Sequence, residues 1–599
     1  MLRLLLCLLV FVLSSVSACA DEPAAGTGSE ADVLAVQATQ VLSSRCLRCH
    51  GGPAVEAGLD VSSRDSLIQE RGAAGNTYFF VNPGQPDASR LVEAIGGGAD
   101  SYMPQSGSPE AQAMTQKEKE LLVRWVVAGA PFPQTRAVTF VSETQVLEAI
   151  RSYQLSLRLA DRDQIRFYSL THLQNNAGVS ERDLRLYRAA LIKTLNSLSS
   201  QPELYTPELV PGTQDTVYAV DLRKLGWDQR PVWGSIQSKY PYGLRPGNEQ
   251  TDEGERLADL FREVALFSGA ELPVLRADWF IVNATQPPLY HEIMDLPATL
   301  TVLEEQLELN LQQNFLDGRL QRSGFARSGV SRQNRLLERH TSPRTKYFWI
   351  SYDFLPRRAR GDLPRFPLGP QFDGHPFPVQ AFAHDGGEAI WSLPNGLQAY
   401  ILLDAKGARI DAGPIEVVFD RSAILGAPSI INGISCIACH RAGMITEFRD
   451  EIRTANAVAG EAAKKVRQLY PQQDDMQALV QQDQKLFVEA QQQLLGPILC
   501  VGPDAGKQVL DFPEPVGKVA EMYSRDLTPG DVSLELGYAN VEQMQQEIRA
   551  NRELLLLGMG TLIQSPSGTL KREKWETVDG TSLMQEVAVA LRLGVPLSP

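Results

Sequence analysis

The sequence predicts a multi-domain, mainly α protein with an all-α N-terminal domain and a later α+β domain. Three observations support this fold class. The chain has 599 residues, which at roughly 100–200 residues per domain suggests three to five domains. Apolar residues recur at helical spacing, for example over 31–44, 118–126 and 180–196. Residues 388–419 instead place strand-forming segments between Pro-Asn-Gly and Ala-Lys-Gly turns, which is typical of an antiparallel meander.

The composition excludes several classes of protein. Apolar residues make up 43% of the chain and charged residues 21%, which excludes a long disordered chain without a core. The net charge of −14 argues against a protein that binds a nucleic-acid backbone, because such a protein needs a basic surface. Seven cysteines are too few for a disulfide scaffold of this length, so their spacing carries the information.

The N-terminus has the layout of a secretory signal peptide. Met1-Leu2-Arg3 is a positive start, and an apolar run of residues 4–13 follows it. This run is too short to span a membrane as a mature helix. We therefore expect residues 1–18 to be a signal peptide and the protein to be exported.

The end of this segment, Val16-Ser17-Ala18-Cys19, resembles a bacterial lipobox. The resemblance implies that Cys19 is diacylated and becomes the first mature residue. Ordinary cleavage after Ala18-Cys19-Ala20 is the alternative. Residues 19–34 are rich in small and acidic residues and are expected to be a lipoprotein tether. We expect an outer-membrane lipoprotein on the periplasmic side of a bacterial membrane.

Four cysteines form two Cys-x-x-Cys-His motifs, Cys46–His50 and Cys436–His440. In an exported protein the histidine that follows the pair favours c-type haem attachment. Two thiols at this spacing can form thioethers with both vinyl groups of one haem, and the histidine supplies the proximal iron ligand. A disulfide or redox dithiol beside an incidental histidine is the alternative. We expect two covalently bound c-type haems, one held by Cys46, Cys49 and His50 and the other by Cys436, Cys439 and His440.

Met103 is the candidate distal ligand of the first haem. It lies in a stretch rich in Gly and Ser and precedes Pro104, which would stiffen the loop that presents its sulfur. A loop methionine that fills an apolar gap is the alternative. Further on, Thr115 and Glu118 predict a capping box that opens a helix ending at Gly129.

Residues 39–133 resemble the planctomycete-type cytochrome c domain, a relative of class I cytochromes c. The matching segments are CLRCHGG, GLDVSSRDSLIQERG, VNPGQPDASRLVEAI, YMPQ and TQKEKELLVRWVVAGAPFP. The resemblance implies an all-α cytochrome c domain over 35–135, with Cys46 and Cys49 as thioethers, His50 as proximal ligand and Met103 as distal ligand. The sequence has Met-Pro-Gln where many relatives have Met-Pro-Pro. Segments between 140 and 530 resemble large uncharacterised bacterial cytochrome proteins, which implies a haem module without an assigned reaction.

The distal ligand of the second haem stays open at this point. Histidines outside the two motifs are His172, His291, His340, His375 and His384. His291 follows a stiff Pro-Pro-Leu-Tyr approach, which makes it the candidate ligand. An unfilled distal position is the alternative, and it would change the function.

Six arginines cluster in the middle of this acidic chain, namely Arg319, Arg322, Arg327, Arg332, Arg335 and Arg339. They could bind haem propionates or another anion, since arginine makes bidentate contacts with carboxylates. A solvated basic face is the alternative.

We divide the remainder into a mainly helical domain at 136–275, an α+β second haem domain with the meander at 276–447, and a C-terminal helical region at 448–599.

The expected function is that of a dihaem c-type cytochrome lipoprotein that passes electrons to or from a periplasmic redox partner protein. It would contact the membrane through its lipid anchor and bind no nucleic acid. The alternative is a haem enzyme of peroxidase or oxidase type, with the second haem reactive and the first a relay. A third possibility is a partner-binding scaffold. The sequence identifies no catalytic residue.

Overall fold

The computed structural model describes part of the chain. The described residues are 30–47, 50–51, 54–55, 58–61, 63–73, 76–96, 103, 114–132, 136–247, 251–326, 333–356, 358–419, 428–445, 448–564 and 568–597. Of the described residues, 46% are helical and 14% lie in strands. Among the described residues, no helix has the length and apolar character needed to cross a membrane. The predicted signal peptide and the lipid-anchor position Cys19 lie outside the described residues.

The chain divides into two compact units, Met1–Gln134 and Thr135–Pro599. The domain boundary predicted at residue 135 falls where the two units meet in the sequence. The boundaries predicted at 275 and 447 fall inside the second unit, where one hydrophobic core contains residues from Val141 to Ala588.

The N-terminal unit combines short helices with two small hairpins. Its helices are α1 (Glu30–Arg45), α2 (Arg64–Ile68), α3 (Arg90–Gly96) and α4 (Gln116–Val127). Its strands are β1 (His50–Gly51), β2 (Ala54–Val55), β3 (Glu70–Ala73) and β4 (Asn76–Phe79), which pair as β1–β2 and β3–β4. Helix α4 carries the predicted capping box, and Gly129 beyond it has a φ of 89°.

The N-terminal unit is therefore not all-α, and that part of the predicted fold class is wrong. The hairpin β3–β4 has a local reason. Thr77, Tyr78 and Phe79 are β-branched or aromatic residues that favour extended backbone, and Gly72 on the partner strand has a φ of 106°. The core of the unit is nevertheless built from helix α1, helix α4 and their neighbours, around fully buried Leu42, Trp125 and other apolar side chains.

The second unit contains nineteen helices within the described ranges. They are α5 (Glu143–Ser156), α6 (Thr171–Asn175), α7 (Glu181–Ser197), α8 (Val232–Gln237), α9 (Asp252–Ser268), α10 (Ala277–Asn283), α11 (Leu289–Met294), α12 (Leu300–Gln306), α13 (Leu311–Asp317), α14 (Ile434–Cys439), α15 (Gly460–Leu469), α16 (Gln473–Leu499), α17 (Pro515–Tyr523), α18 (Pro529–Glu535), α19 (Val541–Ala550), α20 (Arg552–Leu556), α21 (Thr561–Gln564), α22 (Arg572–Glu576) and α23 (Leu583–Ala590). Ser180 caps α7 as its sequence predicts.

The strands of the second unit form two larger sheets and three small ones. They are β5 (Ile165–Ser169), β6 (Glu208–Leu209), β7 (Val217–Asp221), β8 (Leu244–Pro246), β9 (Val274–Arg276), β10 (Gln321–Phe325), β11 (Arg335–His340), β12 (Phe348–Asp353), β13 (Gly386–Ser392), β14 (Gln398–Asp404), β15 (Arg409–Ile410), β16 (Ala412–Gly413), β17 (Ile430–Ile431), β18 (Val578–Asp579), β19 (Thr581–Ser582) and β20 (Gly594–Pro596). A four-stranded sheet has the order β6-β7-β5-β9, and a six-stranded sheet has the order β10 to β15.

The six-stranded sheet is an antiparallel meander, and its β13–β14 hairpin is the one the sequence predicts. Gly386 pairs with Asp404 and Ser392 with Gln398, and Gly396 in the turn has a φ of 90°. The meander predicted over 388–419 does not continue through 415–419, and that part of the prediction is wrong. The N–H groups of Val417 and Val418 both donate to the carbonyl of Pro414, which makes this segment a turn.

Candidate haem sites

The first Cys-x-x-Cys-His motif begins where α1 ends. The N–H of Cys46 donates to the carbonyl of Leu42 at 2.9 Å, and the N–H of His50 donates to the carbonyl of Cys46 at 2.9 Å. The first residue of the motif is therefore bonded to the last turn of α1, and the last residue of the motif is bonded to the first. Cys46 is half-buried and packs against the core of the N-terminal unit. Cys49 lies outside the described residues.

Met103 is held through its backbone. Its N–H donates to the carbonyl of Ala94 in α3 at 3.0 Å, and its side chain is half-buried. The carbonyl of His50 accepts the N–H of Val61 at 2.8 Å, which ties the end of the motif to the following segment. The flanking residues 97–102 and 104–113 lie outside the described part of the chain.

The two cysteines of the second motif lie on the short helix α14. A glycine just before this helix allows it to pack closely against its neighbours. Gly433, just before the helix, has a φ of 86°. A Cβ at this position would lie 2.4 Å from the carbonyl oxygen of Thr285 and 2.9 Å from the ring of Tyr290. Only glycine, which has no Cβ, can bring the backbone this close to Thr285 and Tyr290. Cys436 and Cys439 are three residues apart on α14, so their thiols share one face of the helix.

His440 has the orientation that a proximal ligand needs. It is buried, and its Nδ1 lies 3.0 Å from the carbonyl oxygen of Gly443. A carbonyl only accepts hydrogen bonds, so Nδ1 carries the proton and Nε2 keeps its lone pair. The ring of Tyr400 lies against the imidazole, with centroids 5.9 Å apart and planes at 30°. With a haem bound, His440 would supply Nε2 as the proximal ligand, and the ring of Tyr400 would help to hold the imidazole in place.

Aromatic side chains line one side of this motif. The N–H of Tyr400 donates to the hydroxyl of Tyr290, and the hydroxyl of Tyr400 donates to Oε1 of Gln398, both at 3.0 Å. Burial raises the pKa of Tyr400 and that of the Cys436 thiol well above their ordinary values. The donor set therefore fits a c-type haem, with two thiols on one helix face, an imidazole with an available Nε2, and apolar aromatic walls.

His291 lies beside the loop that enters α14. It is buried on α11, and its Nε2 accepts a hydrogen bond from Nδ2 of Asn432 at 2.8 Å. Its Nδ1 is 3.6 Å from Oδ1 of Asp411. Burial, together with Arg409, lowers the pKa of His291 to about 4 despite the opposing effect of Asp411, so the imidazole is neutral at pH 7. The structure thus brings His291 next to the second motif and engages its Nε2 with Asn432.

The other four histidines have partners elsewhere in the second unit. His172 contacts the Asp278 carboxylate at 2.9 Å, and His340 contacts that of Glu338 at 2.7 Å. Nδ1 of His375 accepts the N–H of Phe377, and His384 lies against the rings of Tyr352 and Phe382.

Three of the six clustered arginines are buried and paired, so these three form neither a propionate site nor a solvated face. Arg322, Arg335 and Arg339 are buried in the six-stranded sheet. Each is bonded to a buried carboxylate, Glu338 at 2.5 Å, Asp353 at 2.7 Å and Asp483 at 2.7 Å respectively. Arg319 is exposed and pairs with Asp317, while Arg327 and Arg332 lie outside the described residues. These carboxylates already use the guanidinium groups that a propionate would need.

Sequence reasoning missed Gly443 and Tyr400 as supports of His440. Gly443 follows the motif closely, and a carbonyl in the turn after a helix is a common acceptor. Tyr400 alternates with Gln398 on one face of β14, and the period of two places both on the same side of the sheet. Neither feature predicts that this face of β14 packs against α14, because the contact joins segments that are far apart in the sequence.

Comparison with known proteins supports a haem in the N-terminal unit. The family model described as Planctomycete cytochrome C matches residues 46–107. This match confirms the resemblance expected from the sequence over that span, which includes the first motif and Met103, and it implies a c-type haem. No curated protein and no solved structure matches the chain.

Proposed function

We propose that this chain is a dihaem c-type cytochrome that transfers electrons on the periplasmic side of a bacterial membrane, to which Cys19 anchors it as a lipoprotein. The family match over 46–107 suggests a haem electron-transfer role. The second haem, the anchor and the compartment are the proposal. They rest on the motif at Cys436–His440 and on the composition of the first twenty residues.

The orientation of His440 is the observation that carries the proposal. Its Nδ1 is held by the Gly443 carbonyl at 3.0 Å, and the ring of Tyr400 lies beside it with centroids 5.9 Å apart. An imidazole fixed in this tautomer presents Nε2 to a metal without further rearrangement. Two cysteine thiols on the preceding helical turn supply the covalent attachment that a c-type haem requires.

A bound c-type haem supplies an iron that takes up and releases one electron. The residues around it hold and tune that iron. Met103 would give the first haem a thioether distal ligand, which raises its potential above that of a haem with two histidines. If His291 ligates the second haem, the first haem is therefore the more oxidising of the two. The net charge of −14 suits a basic redox partner, and such an association weakens as salt is added.

Mass spectrometry of the purified, exported protein tests the haem count. The wild type should carry two covalent haems, and the variant with Cys436→Ala and Cys439→Ala should carry one. Cys500→Ala is the matched control, because Cys500 lies outside both motifs, and it should retain two. A wild-type protein with a single haem would contradict the proposal.

Cell fractionation tests the anchor. Cys19→Ala should move the exported protein from the membrane fraction to the periplasmic fraction, because it removes the acylated side chain. Cys7→Ala changes a cysteine within the apolar run of the same signal segment and should leave the protein with the membrane. Equal membrane association of both variants would rule out acylation of Cys19 as the anchor.

One observation favours a second candidate, a haem enzyme of peroxidase or oxidase type. Nε2 of His291 is engaged by Asn432 rather than presented to another group. A second haem without a fixed distal ligand could react with peroxide or oxygen, with the first haem as electron relay. Carbon monoxide added to the reduced protein distinguishes the two. Binding at one haem of the two supports the enzyme, and an unchanged spectrum supports the electron carrier.

A further inference from the structure

A buried ion pair lies behind the second haem motif. Lys193, in the middle of α7, and Glu514, which caps α17, have side chains only 2% and 6% exposed, and Nζ of Lys193 lies 2.9 Å from Oε1 of Glu514. Nζ also donates to Oε1 of Gln491 on α16 at 2.7 Å. Desolvating two charges costs free energy that a well-packed apolar pair would not, so stability alone does not explain them.

Lys193 is connected to the second haem motif through two neighbouring residues, Gln491 and Phe487. Nε2 of Gln491 donates to the carbonyl of Arg441 at 2.9 Å, and Arg441 is the residue after His440. The ring of Phe487 lies 5.7 Å from Nζ of Lys193. The same ring packs against Gly443, where an added Cβ would lie 3.2 Å from it, and the Gly443 carbonyl accepts from His440.

The glutamate side reaches the motif itself. Oε2 of Glu514 accepts the N–H of Gly517 at 2.5 Å in the first turn of α17. Gly517 touches Ala438, since a Cβ on Gly517 would lie 2.8 Å from the Cβ of Ala438. Ala438 stands between Cys436 and Cys439. The two charges, 2.9 Å apart, are therefore both linked to the C-terminal end of α14 and the turn that follows it.

We propose that Lys193 and Glu514 balance each other's effect on the reduction potential of the haem held by Cys436, Cys439 and His440. This inference rests on the proposed function. Reduction adds one electron to the iron, taken from the reductant or the redox partner, and makes or breaks no bond at the pair. A buried cation near the iron disfavours the oxidised, more positive state, and a buried anion favours it, because both charges act through a medium of low dielectric constant.

Two conservative variants are expected to shift the reduction potential of the second haem in opposite directions. Lys193→Met keeps the length of the side chain and leaves Glu514 as an uncompensated anion, so the potential of the second haem should fall. Glu514→Gln keeps an oxygen that can accept from Gly517 and leaves Lys193 as an uncompensated cation, so the potential should rise. The double variant should return close to the wild-type potential. Spectroelectrochemical titration of the full-length dihaem protein at pH 7 measures all three.

The exposed pair on the same helix is the matched control. Lys518 and Glu521 lie 2.8 Å apart on α17, with side chains 28% and 46% exposed. Lys518→Met and Glu521→Gln should leave both potentials unchanged, because water and salt screen exposed charges. The potential of the first haem should stay constant in every variant.

The outcomes separate this inference from the proposed function. A merely structural pair would give shifts of the same sign in both single variants, or none, and either result would overturn the inference. If one variant fails to accumulate, the sign of the shift in the other decides. A wild-type protein with one haem by mass would overturn the proposed function itself, before any potential is compared.

Discussion

At the scale of the residue, haem attachment at both motifs could be predicted. The contacts that hold the ligands in place could not. Cysteine and histidine at this spacing indicate haem attachment in any exported chain. The acceptor that sets the tautomer of His440 is a backbone carbonyl, and a sequence carries no pattern for it. The ring of Tyr400 beside the imidazole comes from β14, which the fold alone brings to α14. Single residues therefore specify the reaction class, and tertiary contacts specify how each ligand is held.

The sulfur of Met103 is expected to ligate the first haem. Met103→Leu keeps an apolar side chain of similar volume and removes the sulfur, so the absorbance band that reports charge transfer from methionine to iron should disappear. Met114→Leu is the matched control, since Met114 is buried in the core of the same unit and should keep the band. Survival of the band in Met103→Leu would show that another residue ligates the iron. Visible spectra of the oxidised variants decide between these outcomes.

Because unfolding lets His384 take up a proton, the folded protein is expected to lose stability in mild acid. The imidazole lies against Tyr352, with ring centroids 5.0 Å apart, and burial, with a further contribution from Arg358, lowers its pKa to about 4 against the opposing effect of Asp385. The unfolded chain binds the proton near pH 6.5 and the folded chain only near pH 4. Stability should therefore fall as the pH drops from about 6.5 to 4, by about 2 kcal/mol.

His384→Phe keeps a ring between the aromatic neighbours and removes the titrating group. Urea unfolding at a series of pH values should give a flatter profile for this variant over the same window. Parallel profiles for the variant and the wild type would show that His384 does not cause the acid sensitivity.

At the scale of the element, periodic helices and turn-bounded strands could be predicted, and buried strands could not. Helix α7 and the β13–β14 hairpin follow from capping residues, apolar spacing and a Pro-Asn-Gly turn. Strand β11 carries Arg335, Glu338 and Arg339 yet is buried along its whole length. Its charges are satisfied by carboxylates and guanidinium groups on other elements, so it shows neither alternation nor an apolar run. The sheet is consequently larger than its sequence suggests.

The capping box of α4 should control the stability of that helix. The Thr115 hydroxyl accepts the N–H of Glu118, and the Glu118 carboxylate accepts the N–H of Thr115 at 2.7 Å. Thr115→Ala removes one half of the box and should cost about 1 kcal/mol, whereas Thr115→Ser keeps the hydroxyl and should cost little. Amide hydrogen exchange in α4 should be about fivefold faster in the alanine variant. Equal exchange in both variants would mean that tertiary packing alone fixes this end of the helix.

At the scale of the whole molecule, the C-terminal helices complete the core of the second unit. Strand β20 pairs with β8, which joins residues 594–596 to residues 244–246. A buried charge cluster makes a second connection, because Glu535 on α18 bonds to Arg276 at 2.8 Å and to Arg572 at 3.1 Å. Burial opposes ionisation of Glu535, yet the two arginines lower its pKa to about 2. The carboxylate is therefore ionised throughout the physiological range.

Removing the charge of Glu535 should destabilise the whole second unit rather than its C-terminal part. Glu535→Gln leaves two buried guanidinium groups with less compensation and should cost about 3 kcal/mol. Glu461→Gln, which disrupts the exposed pair with Lys464, is the control and should change little. Because one core spans the unit, amides of β14 should exchange faster in Glu535→Gln even though they are distant in sequence from the change. Faster exchange confined to residues after 448 would instead show that the C-terminal region unfolds independently, and that the boundary predicted there separates two domains.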